Sequence, residues 1–91
     1  MNQTTILQPI RGTAQKKIEL LSEIDYNIRM VEGRISENQR KIDRMLKAGN
    51  EAWYIYPYTS LTEQQAERAH NIDLLIRLRY RFNKVLESLK Y

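Results

Sequence analysis

A stripe of apolar residues, spaced alternately three and four apart, constrains the fold of this chain more than any other feature of its sequence. This spacing keeps the side chains on one face of an α-helix, where they can pack against a partner helix. Asn38 alone interrupts the stripe. Thr13 can cap this helix and Gly49 can end it, which predicts helix 1 over residues 14–48. The stripe comprises Leu21, Ile24, Ile28, Val31, Ile35, Ile42 and Met45.

A second amphipathic segment begins at "LTEQQA", residues 61–66. Thr62 can cap this helix and Gln65 can complete a capping box, which predicts helix 2 over residues 62–89. Its apolar residues cover an arc of roughly 200° at 100° per residue, more than one antiparallel neighbour can bury. We therefore expect the hairpin to pair with a second copy. The arc contains Ile72, Leu75, Ile76, Leu78, Phe82, Val85, Leu86 and Leu89.

The distribution of charge favours an antiparallel arrangement of the two helices. Net charge changes from −1 over residues 16–32 to +3 over 33–47, and from −2 over 61–75 to +4 over 76–91. Antiparallel packing places each acidic half beside a basic half, whereas parallel packing places the two basic halves together. The sequence thus predicts an all-α, coiled-coil-like antiparallel hairpin that dimerises into a four-helix arrangement.

Length and composition restrict the class of protein. At 91 residues the chain fits one helical domain, 1–91, with a marginal core of its own. It has no cysteine, which excludes thiolate chemistry and favours intracellular conditions. Neither a signal peptide nor a membrane span is evident, so we expect a cytoplasmic protein without a membrane partner. Residues 1–12 are predicted to form an extended arm whose "TTIL" has β character.

The predicted connection, residues 49–61, holds half of the aromatic residues in "AWYIYPYTS". Pro57 excludes a continuous helix, and alternating large side chains suggest an extended segment. The aromatic residues either plug the hairpin end, with Trp53 as packed anchor, or bind a partner, because Trp and Tyr dominate binding hot spots. Stacking of nucleic-acid bases is a third interpretation. The candidate partner-binding residues are Trp53, Tyr54, Tyr56 and Tyr58, of which Tyr54 and Tyr58 are expected to be the more exposed pair.

Two basic segments are candidate contacts for phosphates or an acidic partner. The formal net charge of +4 permits such a partner but falls short of the dense basic stripe of a dedicated nucleic-acid binder. A solvated face, partly neutralised by the acidic half of helix 1, is the simpler explanation of segment 77–84. The candidate residues are Arg77, Arg81 and Lys84 in one segment and Arg40, Arg44 and Lys47 in the other.

Two polar residues fall among apolar positions. Asn38 could pair across the seam and fix its register, as buried asparagines do in coiled coils, or it could mark a helix irregularity. Arg79 lies within the apolar arc of helix 2. It could extend to solvent, meet a carboxylate such as Glu32 or Asp25, or belong to an interface.

No arrangement of residues predicts chemistry. Glu67 and His70 have the spacing of ligands in di-metal helical bundles, but their helical phase points both outward. The glycines are scattered and no serine has a plausible local base. We therefore expect no enzyme activity, no metal and no cofactor.

The expected function is binding without catalysis. The leading hypothesis is an interaction module that binds a larger protein or nucleoprotein and blocks or bridges it, as small phage or mobile-element inhibitors do. A basic nucleic-acid-binding accessory protein is the alternative, and its affinity for DNA or RNA should fall steeply with salt. A structural or scaffolding subunit is a further alternative, which would assemble beyond a dimer.

Overall fold

The computed structural model describes residues 13–90, which form a helical hairpin. Helix α1 spans Ala14–Ala48, a 3-10 turn covers Gly49–Glu51, helix α2 covers Ala52–Ile55 and helix α3 spans Leu61–Ser88. The two long helices pack against each other in antiparallel orientation. The predicted all-α hairpin is therefore confirmed. The predicted extended arm, residues 1–12, lies outside the described residues.

Local hydrogen bonds explain where α1 begins and ends. The hydroxyl of Thr13 accepts a hydrogen bond from the backbone N–H of Lys16 at 3.2 Å. At the other end, the backbone N–H of Gly49 donates to the carbonyl of Met45, with Gly49 at a φ of 60°. A side chain is strained at such a φ, so glycine suits this stop. The helix has the bounds that Thr13 and Gly49 predicted.

The N-cap of helix α3 lies two residues before the expected cap. Ser60 is the N-cap: its hydroxyl accepts from the N–H of Glu63 at 3.1 Å, and the Glu63 carboxylate accepts from the N–H of Ser60 at 2.8 Å. The prediction that Thr62 caps this helix with Gln65 is wrong. Both pairs have the capping-box spacing, but starting at Ser60 brings Leu61 into the helix, where it is half-buried.

The core is a narrow seam between α1 and α3. In α1 it follows the predicted stripe, and Asn38 is buried within it. In α3 the same alternating spacing of three and four runs from Leu61 to Leu89, through Gln64, Arg68 and Asn71 in its first half. The buried apolar residues are Ile24, Val31, Ile42, Met45, Leu75 and Val85.

The wide apolar arc predicted for helix 2 only partly enters this seam. Ile76 is 61% exposed and Leu86 is 43% exposed, while Leu75 and Val85 beside them are buried. One neighbouring helix covers only part of the arc, as expected from its width. Apolar surface on α3 is consequently left outside the hairpin.

The hairpin is long and thin. It measures 61 × 20 × 17 Å, and its radius of gyration is 18.8 Å, against about 12 Å for a compact domain of this length. Its accessible surface is 7141 Å², whereas a compact protein of 10.9 kDa exposes about 5,600 Å². None of the described helices is long and apolar enough to cross a membrane.

Candidate docking site at the closed end of the hairpin

Large side chains lie exposed at the closed end of the hairpin, which we define as residues 49–60. Tyr58 is 97% exposed, Tyr54 is 74% exposed and Trp53 is 63% exposed. Ile55 beside them is 45% exposed. Trp and Tyr bury large rigid areas when they bind, so an end that presents three of them is a candidate contact surface.

The backbone of the closed end is more helical than the sequence suggested. After the 3-10 turn, residues 52–55 complete one α-helical turn, and the N–H of Tyr56 donates to the carbonyl of Ala52 at 3.0 Å. Tyr56 then leaves the helix because the following Pro57 disfavours the helical conformation in its predecessor. The prediction of an extended segment with alternating side chains is therefore wrong for residues 52–55.

This local helix changes which aromatic side chain packs inward. Trp53 is not the packed anchor that we expected: it is exposed, and its ring lies 4.2 Å from that of Tyr54 at a tilt of 31°. Tyr56 is the half-buried aromatic residue, with the Lys41 ammonium 6.0 Å from its ring centroid. The prediction that Tyr54 and Tyr58 are exposed is confirmed.

Two concave surfaces adjoin the exposed rings. Tyr56 and Tyr58 line a pocket of about 420 Å³ together with Lys41 and the first turns of α3. Ile55, which also lines this pocket, lines a shallower groove of about 340 Å³ with Arg44, Lys47 and Ala48 of α1. The closed end therefore combines protruding aromatic side chains with recesses that a partner could fill.

A buried polar layer lies next to the closed end. The Asn71 amide donates to the Asn38 side-chain oxygen at 2.9 Å, and the Asn38 amide donates to Gln64 at 2.9 Å and to the Glu67 carboxylate at 3.0 Å. Gln64 in turn donates to the Thr59 hydroxyl at 3.1 Å, which ties the connection to the seam. Asn38 therefore pairs across the seam, which is one of the two roles predicted for it.

The α3 half of this layer was not predicted from the sequence. Gln64, Arg68 and Asn71 occupy the seam positions that precede Leu75, but they are polar and were not counted in the apolar arc. Extending the spacing of Leu75, Leu78 and Phe82 backwards would have found them. The layer is incompletely paired, since the Nε of Arg68 is buried without a hydrogen-bond partner.

The candidate cationic residues fall into two separate groups. Segment 40–47 lies near the start of α3, whereas segment 77–84 lies toward the open end, on the order of 20 Å away at 1.5 Å per residue. Arg77 pairs with Asp73 at 2.8 Å. The Lys84 ammonium lies 5.4 Å from the ring centroid of Tyr80, and Arg81 is exposed. The two segments therefore do not form one continuous basic stripe.

The closed-end group is itself heterogeneous. Arg40 is hydrogen-bonded to Glu37, and that bond, together with the negative charge, raises the pKa of Arg40. Arg44 and Lys47 are exposed, and within residues 13–90 neither lies within 4.0 Å of a carboxylate oxygen. These two are the cations of this group that are available to an acidic partner.

The remaining polar candidates also have defined positions. Arg79 donates to Glu32 at 2.8 Å across the two helices, which is one of its three predicted roles. Glu67 does not point away from the seam as predicted, because its carboxylate accepts from Asn38. His70 is exposed. In the part of the chain described here, no three His, Asp or Glu side chains gather closely enough to hold a metal ion.

No family model, curated protein or solved structure matches this chain. The candidate site is therefore defined by the exposure, packing and charge of its residues. Those properties make the closed end a candidate contact surface, which presents exposed aromatic side chains and two exposed cations.

Proposed function

We propose that this chain is a non-enzymatic interaction module that binds a larger protein or nucleoprotein through the closed end of its hairpin. The exposure of Trp53, Tyr54 and Tyr58 at a single end of the rod carries the proposal. Monomeric proteins rarely leave large apolar side chains grouped on the surface without a role in binding.

The exposed rings suit the anchor role for physical reasons. Trp53 and Tyr54 already contact each other, so part of the entropy of ordering these side chains is lost before binding. Each ring buries a large area while retaining a polar atom that can donate a hydrogen bond. Truncating an anchor of this kind typically weakens binding by about 2 kcal/mol or more.

The surroundings of the rings indicate the chemistry of the partner. Arg44 and Lys47 border the groove at Ile55. A complementary surface would present an apolar cleft for the rings and carboxylates opposite these two cations. The chain as a whole carries a net charge of +4, which favours association with an acidic surface.

The shape of the hairpin is compatible with blocking or bridging. A rod 61 Å long that is anchored at one end projects from its partner and can obstruct an adjacent site. A dimer of such rods would present two closed ends and could bridge two partners. An inhibitor encoded by a phage or mobile element fits this mode of action.

The experiment is a quantitative pull-down from the native host, followed by affinity measurement with the purified partner. Trp53→Ala and Tyr58→Ala should each reduce partner affinity by about 30-fold, which corresponds to about 2 kcal/mol. Tyr26→Ala is a matched control, because Tyr26 has the same 63% exposure as Trp53 but lies far from the closed end on α1. Equal retention of the partner by wild type, Trp53→Ala and Tyr58→Ala would contradict the proposal.

A nucleic-acid-binding accessory protein is a second candidate because Arg81, Lys84, Arg44 and Lys47 are exposed. Its affinity for DNA or RNA should fall steeply between low and physiological salt, with a slope set by the number of phosphates neutralised. Arg81→Ala should reduce that slope by about one unit. A docking module should instead show little nucleic-acid affinity near physiological salt.

A structural or scaffolding subunit is a further candidate, and assembly of the chain beyond a dimer would favour it.

A further inference from the structure

A row of apolar side chains runs along the outer surface of α3. We call it the α3 stripe, and it consists of Ala69, Ile72, Ile76 and Tyr80. At 100° per residue all four lie within about 40° of Ile76 around the helix. Ile76 is 61% exposed, Tyr80 is 65% exposed and Ala69 is exposed, while Ile72 is half-buried.

The α3 stripe is separate from both the seam and the closed end. Leu75 and Val85 fill the seam, and the Glu32–Arg79 ion pair links the two helices between that seam and the stripe. The exposed closed-end rings lie on residues 53–58, before α3 begins. The stripe is therefore a second apolar surface, which the hairpin cannot cover with its own residues.

The charges beside the α3 stripe indicate the partner. Asp73, in the acidic half of α3, shares one edge of the stripe with Arg77 and Lys84 of the basic half, all within about 100° of Ile76 around the helix. Two antiparallel α3 helices place Asp73 of each copy on the same edge as these two cations of the other copy, whereas parallel helices place the two basic halves, residues 76–90, side by side. We infer that a second copy of this chain covers the α3 stripe, with the two α3 helices antiparallel.

The two-fold axis of this dimer passes near Ile76. Ile76 then meets Ile76 of the second copy, and Ala69 lies level with Asn83 of the second copy. Asp73 lies level with Tyr80 of the second copy on the same edge of the interface, so the phenol can donate a hydrogen bond to the carboxylate. A C2 interface uses one surface twice, which the self-complementary charges of α3 permit.

This inference deepens the proposed function, because an antiparallel dimer directs its two closed ends in opposite directions and can bridge two partner molecules. It makes a separate claim about a different set of residues. Loss of dimerisation and loss of partner binding are thus distinguishable by mutation.

Sedimentation equilibrium of the full chain, at concentrations from about 1 to 100 μM, tests the dimer. The wild type should sediment as a dimer, and Ile76→Asp should weaken dimerisation by about 100-fold by placing two carboxylates together at the axis. Met30→Asp is the matched control, since Met30 is also exposed on a helix but lies outside the stripe, and it should dimerise like wild type. Circular dichroism should show equal helicity in both variants when measured as monomers.

Cysteine cross-linking tests the orientation, because the chain has no cysteine of its own. A mixture of Ala69→Cys and Asn83→Cys chains should oxidise mainly to the mixed disulfide if the α3 helices are antiparallel. Predominant self-linking of each variant would indicate a parallel dimer and overturn the proposed geometry.

The sedimentation experiment can overturn the inference itself. A wild-type chain that stays monomeric at all concentrations, or an Ile76→Asp variant that dimerises like wild type, would do so. Trp53→Ala should still dimerise, even if it no longer binds the partner.

Discussion

Asn71 donates a hydrogen bond of 2.9 Å to Asn38 across the seam, and both residues are buried in it. The Asn38 amide group donates in turn to Gln64 and Glu67, so a single side chain of α1 pairs with three side chains of α3. A buried amide without partners is costly, and this pairing holds only when the two helices are in one relative position. The polar layer therefore specifies the register of the hairpin.

Asn38→Ala should destabilise the hairpin by about 1–3 kcal/mol, because it leaves the buried amides of Asn71 and Gln64 without their partner. Urea denaturation, followed by circular dichroism at a fixed chain concentration, measures the change. In contrast, replacing Asn38, Gln64 and Asn71 together by leucine should recover stability while relaxing the register, because apolar residues then replace all three buried amides of the layer. If Asn38→Ala unfolds at the same urea concentration as wild type, the layer does not stabilise the fold.

Ser60→Ala should lower the free energy of unfolding by about 1 kcal/mol through loss of the α3 cap. Thr62→Ala provides an internal control within the same turn, because Thr62 is exposed and lies inside the helix. It should change stability by less than about 0.5 kcal/mol. Thermal melts of the two variants give the comparison, and a larger loss in Thr62→Ala would mean that the helix starts at the later residue.

Gly33→Ala should stabilise the chain by about 1 kcal/mol. Gly33 lies in the interior of α1, where alanine is the better helix former, and an added Cβ would have no neighbour within 4 Å. Gly49→Ala should do the opposite, by about 1–3 kcal/mol, because Gly49 has a φ of 60°. Both changes add a single methyl group, so opposite shifts in the melting temperature isolate the effect of backbone conformation.

Removing the exposed aromatic side chains of the closed end should leave the fold intact. Tyr54→Ala and Tyr58→Ala should each change the free energy of unfolding by less than about 0.5 kcal/mol, since both side chains lie largely in solvent. Tyr56→Ala should cost more, because Tyr56 is half-buried beside Lys41. Chemical denaturation of the three variants checks this order. A loss above about 2 kcal/mol at Tyr58 would assign it to the architecture of the hairpin.

The sequence was most informative where one strong local signal acts alone. Thr13 and Gly49 have no competing neighbours, so the bounds of α1 could be predicted. Ser60 and Thr62 each have a suitable partner three residues later, and local rules do not rank two overlapping capping boxes. Packing between the two helices favours the cap at Ser60 over the cap at Thr62. With Ser60 as the cap, Leu61 becomes part of α3 and continues the spacing of the seam residues.

The closed end was harder to predict for a different reason. Large alternating residues favour a strand, but a strand needs a neighbour to accept its backbone hydrogen bonds. A single helical turn at residues 52–55 satisfies these hydrogen bonds locally, and this turn exposes Trp53.

The polar seam residues of α3 were not predicted, because the helical spacing was followed through apolar residues only. Gln64 and Asn71 are nevertheless as well buried as Leu75.

The position of the polar layer also affects how the hairpin can fold. A hairpin usually closes first beside its connection, where the shortest loop loses the least chain entropy. Here Leu61 supplies one half-buried apolar contact beside the connection, and polar residues hold the next three seam positions of α3. The first buried apolar residue of α3 is Leu75, which lies about level with Ile35, 40 residues earlier in the chain. Closing a loop of about 40 residues, rather than about a dozen, costs roughly 1 kcal/mol more by the logarithmic dependence on length. Folding should therefore nucleate in the middle of the rod, with the closed end assembling last.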